Sequence, residues 1–141
     1  MLKSVRMIAI LAVSGASIAQ TPTFSAEQRA DGERQIISAG KMLSDSLRDT
    51  ATAKFRNVTL FKTVGRDSKE HVSFCGEVNS KNGYGGMSGF QKFTTVGTML
   101  IVGQSSFISA EVVCSDATPR VHDARDYTPE LRKAFDANAG G

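Results

Sequence analysis

The chain is predicted to form one α+β domain, with a long N-terminal helix packed on a four- to five-stranded antiparallel sheet and a short C-terminal helix. Three observations carry that expectation. Between residues 26 and 47, Ile36, Leu43 and Leu47 recur at helical spacing with Gly40 between them. From Phe55 onward the period falls to two, in short runs separated by polar or glycine-bearing turns, as in strands joined by tight connections. Near the end, YTPELRKAF sets a proline just inside a helix start.

The elements follow in order. Residues 20–24 (QTPTF) form a flexible leader, and Ser25 is a helix N-cap with Gln28 three positions on as its capping-box partner. The helix then spans Ala26 to Leu47, with Arg34, Lys41, Asp45 and Arg48 mostly off its apolar stripe. RDTATAKF is a connector. Val58, Leu60 and Lys62 alternate with Thr59 and Phe61 as a first strand. After the turn GRDSKE, HVSFCGEVN is a second, with Val72, Phe74 and Val78 on one face and Cys75 on the other. GFQKFTTVG is a third. TMLIVG is apolar enough for a central strand buried on both faces, and FISAEVVCS alternates Ile108, Ala110 and Val112 against Glu111 and Val113 as a last strand. Thr128 is placed as the N-cap and Pro129 at the first position of the terminal helix. The domain covers 25–137, and 138–141 is a flexible tail.

Residues 1–19 have the layout of a secretory signal peptide. Lys3 and Arg6 precede the apolar run Met7–Val13, and Ser17 and Ala19 supply the small residues before a cut at Ala19/Gln20. The run is too short to span a bilayer, and no cysteine follows the cut to take a lipid. The mature chain has room for one core. It also loses two of the positive charges behind the overall +3, so nothing in its balance calls for nucleic acid or an anionic surface. A periplasmic or secreted location follows, with no integral membrane segment left after cleavage.

Cys75 and Cys114 are the two cysteines. In an oxidising compartment an even count favours a disulfide, which would close a loop of about forty residues and stabilise by roughly 4 kcal/mol. The alternatives are a zinc site, for which His71 and His122 offer no ligand cluster, and a catalytic thiol without an identified partner. No metal or other cofactor is expected.

The most distinctive stretch is CGEVNSKNGYGGMSGFQKF, residues 75–93. As a phosphate cradle it fails, because Lys81 precedes the glycines and a strand follows them rather than a helix. As a nucleophile elbow it fails too, since Ser88 has Gly86 two residues before it but Gly89 immediately after. Asn79, Asn82 and Gly83 are turn formers. Tyr84 and Met87 stand among them, either folded back over the sheet edge or offered to a partner or glycan. Glu77 shares the Cys75 face, and Asp116, Asp123 and Asp126 cluster late in the chain. No spacing selects a catalytic pair among these acids.

AKFRNV (53–58) followed by residues 75–93 resembles a group of small, uncharacterised exported bacterial proteins that share this pattern over about a third of the mature chain. No proline follows Asp49 here, and Met87 stands where that group has an aromatic. The resemblance implies export and a small α+β domain, and it brings no activity. The expectation is a non-enzymatic binding or interaction domain contacting an envelope protein or glycan through Tyr84 and Met87. The alternatives are a cell-envelope hydrolase using Glu77 with an Asp or His partner, and a purely structural envelope-stress protein.

Overall fold

The computed structural model describes residues 23–105, 107–115 and 119–140. The expected signal peptide, residues 1–19, and most of the expected 20–24 leader lie outside these residues. The elements are α1 (Ala26–Ser46), β1 (Lys54–Val64), β2 (Glu70–Asn79), β3 (Gln91–Val96), β4 (Met99–Val102), α2 (Ala110–Val113), β5 (Val121–His122) and α3 (Thr128–Ala139). The five strands form one antiparallel sheet in the order β4-β3-β2-β1-β5. The predicted α+β fold is the observed one.

α1 begins with the reciprocal cap, Gln28 N donating to Ser25 Oγ at 3.1 Å and Ser25 N to Gln28 Oε1 at 3.0 Å. Its buried face is Gly32, Ile36, Ala39, Gly40 and Leu43. At two of these positions, both glycine, partners come close. A Cβ at Gly32 would lie 2.5 Å from the Leu60 methyls, and one at Gly40 would lie 2.9 Å from the Ala134 Cβ on α3. α1 and α3 therefore pack on each other and on the same side of the sheet. They bury Val58, Leu60, Phe74, Val78 and Phe93 together with Tyr127, Leu131 and Phe135. Phe24 joins this core, so the last leader residue is fixed by packing. Lys62, on the same inward face of β1, is also buried. Its ammonium donates to the Thr23 carbonyl at 3.1 Å and pairs with Glu70 at 3.1 Å.

The last third of the chain departs from the expected strands. TMLIVG is an edge strand, with Met99 exposed, and not a central one. FISAEVVCS is not a strand: after Gly103 turns at φ 59° the chain leaves the sheet plane, and Ala110–Val113 form one helical turn. The reason is covalent reach. A strand beside β4 would leave Cys114 three strand positions from β2, roughly 14 Å away. Crossing the sheet face instead brings its Cα within 5.9 Å of Cys75. The fifth strand is β5, too short to predict, which pairs Val121 and His122 with Lys62 and Phe61. Tyr127 takes the N-cap place of α3, with Thr128 inside the helix. Asn138 donates to Asp45 on α1 at 2.9 Å, so the helix continues into the expected tail.

Candidate functional site

The glycine loop is a built turn. Asn82 N donates to the Gly86 carbonyl at 2.8 Å, and Asn82 Oδ1 accepts from Tyr84 N at 3.0 Å and Gly86 N at 3.2 Å. Gly85 and Gly89 take φ of 81° and 83°, a backbone region L side chains rarely adopt. The Ser88 hydroxyl donates to the Ser80 carbonyl at 2.9 Å, so it closes the turn. Residues 82–89 are all exposed, and Tyr84 at the tip is 100% exposed. Of the two readings of this loop, the one in which Tyr84 folds back over the sheet is the one the structure departs from.

At the base of the loop an open groove of about 730 Å³ runs between Met87, Phe90 and Phe55. Ala51 and Ala53 line it further, with Lys54 and Arg132 among the polar residues at the wall. Phe55 is fixed from behind by Phe135 (ring centroids 4.9 Å apart), and the Arg56 guanidinium sits 3.8 Å over the Phe90 ring. Arg132 is held by the Ala53 carbonyl at 2.6 Å and by Asp136 at 3.0 Å. The groove thus joins Met87 to Phe55 and Phe90, which sequence reasoning did not single out. Their signal was an aromatic just after each of two connections, the one from α1 to β1 in AKF and the glycine loop in GGMSGF. Tyr84 does not line the groove.

Glu77 does not meet His71. The two lie six positions apart on β2, roughly 20 Å, and the exposed His71 pairs with Asp67 at 3.1 Å. Glu77 accepts from Asn57 Nδ2 at 2.6 Å and from Arg56 Nε at 3.2 Å. The Asn57 hydrogen bond, then Arg56, hold its carboxyl below the usual carboxylate range. A carboxylate so saturated is a poor proton donor and a weak base. Glu77 does share a concavity of about 350 Å³ on the second sheet face with His122, Lys92, Arg120 and both cysteines.

The late acids separate as well. Asp123 is buried and accepts from Arg29 Nε at 2.9 Å and from the Tyr127 hydroxyl at 2.6 Å. Burial opposes its charge, but these hydrogen bonds outweigh it and keep the carboxyl below its ordinary value. Burial, and then Asp123, push the Tyr127 hydroxyl up to about 12. Asp126 accepts from Thr128 N at 3.0 Å at the start of α3. Asp116 lies outside the described residues. Both assigned acids serve the fold.

Cys75 and Cys114 are bonded, with sulfurs 2.09 Å apart. Among the described residues no group of three or more His, Cys, Asp or Glu side chains is placed to hold a metal. No helix among them is long and apolar enough to cross a membrane. No protein-family model, curated protein or solved structure matches this chain.

Proposed function

We propose that the protein is a small exported, non-enzymatic binding domain whose contact surface is the glycine loop and the groove at its base. The observation that carries this reading is Tyr84, a large aromatic wholly exposed on a turn closed by several hydrogen bonds. Tyrosine on a pre-shaped loop gives contact area at little entropic cost, which is how recognition loops use it. The groove beside it combines three large apolar side chains with Lys54 and Arg132. That chemistry suits an extended protein segment presenting an apolar side chain next to a carboxylate better than it suits a neutral glycan. A hydrolase built on Glu77 is disfavoured by the donors already occupying its carboxylate.

The reading is tested by placing a photoreactive side chain at position 84 and irradiating cells that export the protein. One discrete protein adduct is expected, absent when Met87→Ala and Phe90→Ala are added. A smear of unrelated adducts, or one that survives both substitutions, would count against a recognition surface.

A further inference from the structure

We propose that the Cys75–Cys114 bridge is an exchange site for a dithiol protein, and that opening it releases segment 103–115 from the second face of the sheet. Helices α1 and α3 cover one face of the sheet. On the other face lie Phe61, Cys75, Glu77 and Lys92, and α2 crosses it to reach Cys75. Both cysteines are half-buried and line the concavity of about 350 Å³ described above, so a small nucleophile can reach the sulfurs without the core opening.

The Lys92 ammonium beside the bridge suits a thiolate. Lys92 on β3, Arg120 just before β5 and His122 on β5 line the same concavity. Arg120 is packed 4.2 Å over the Phe61 ring and donates to the Val113 carbonyl at 3.3 Å. Among the described residues, the acid lining this concavity is Glu77 on β2, already engaged by Arg56 and Asn57. Cations near a disulfide attract the attacking thiolate and stabilise the one that leaves.

Apart from the bridge, segment 103–115 buries little among its described residues. Ala110 is its one buried residue among those described, whereas Phe107 is 97% exposed and Val112 72% exposed. Its hydrogen bonds are mostly internal, such as Ser105 N to the Ile108 carbonyl and Ala110 N to the Gly103 carbonyl. A four-residue helix has no stability of its own. The covalent bond therefore ties α2 to β2, beside its packing on β3.

The exchange balances with a dithiol as reductant. One of its thiolates attacks a bridge sulfur, the S–S bond breaks, and the other cysteine leaves as a thiolate that takes up a proton. The second thiol of the reductant then attacks the mixed disulfide, forming its own disulfide and freeing the remaining cysteine. Two electrons and two protons pass to Cys75 and Cys114.

The experiment treats the folded protein with dithiothreitol, and in parallel with a thioredoxin-type dithiol protein, without denaturant. Free thiols are trapped over time and amide exchange is followed. Reduction should rise in proportion to dithiol concentration. Exchange in 107–115 should quicken at least tenfold while α1, β1 and α3 stay protected. Lys92→Glu should slow the reaction roughly tenfold at low salt, and less at high salt. Reduction only as fast as global unfolding, loss of the whole fold on reduction, or a reduced form with 107–115 still protected would overturn the proposal. So would a rate indifferent to Lys92→Glu.

Discussion

Asp123 joins three parts of the chain with one carboxylate. It follows β5, accepts from Arg29 on α1, and accepts from Tyr127 at the mouth of α3. Because its folded-state carboxyl lies below the ordinary value, the stability it confers is fully present above about pH 4. That contribution is lost as pH falls through the folded value. Asp123→Asn should flatten the acid limb of a stability–pH curve and cost about 1–3 kcal/mol at neutral pH, read by urea denaturation. Gly76 makes a second residue-scale case. A Cβ there would lie 2.6 Å from the fully buried Phe93 ring, so Gly76→Ala should cost about 1–3 kcal/mol by the same assay. Tyr84→Ala should leave stability within about 0.5 kcal/mol, since nothing packs on a fully exposed side chain. At this scale much of the core is legible: alternation places Val58, Leu60, Phe74 and Val78 inward, and they are buried. Gly32 is not legible, because the close approach there depends on the Leu60 methyls of a distant strand.

Among the elements, α1 is the most legible, its capping box and apolar stripe being local signals that tertiary packing reinforces. The strands up to β3 follow from their period. The chain beyond β4 does not, because what decides it is long-range. Alternation in FISAEVVCS favours a strand, but the bond from Cys114 to Cys75 pulls the segment across the sheet. The slot beside β1 is filled by a chain that pairs for two residues and then zips on through single bonds. Asp123 N donates to the Leu60 carbonyl at 2.9 Å, and Tyr127 N to the Val58 carbonyl at 2.8 Å. The run ends with Val58 N donating to Thr128 Oγ1 at 3.2 Å, beside the bulge where Asn57 takes φ 54°. Thr128→Ala would strand that buried N–H and should cost about 1–3 kcal/mol by thermal or urea denaturation.

Over the whole molecule, two helices on one sheet face leave the other face to α2 and its bridge, and leave the β1–α1 end to the glycine loop. The sequence marks that loop as unusual but cannot say what it shelters. The groove is made by Phe55 and Phe90, which adjoin the ends of two different connections and meet only in the fold. The central claim is that this end of the molecule is a recognition surface. Its most direct measurement is the affinity of the protein cross-linked through position 84 for the mature domain, wild type against Tyr84→Ala and Met87→Ala. Each variant is checked for unchanged thermal stability. Hot-spot truncations of this kind cost about 2 kcal/mol or more, so binding should weaken at least tenfold in either variant. Equal affinities in all three proteins would contradict a binding role for the loop.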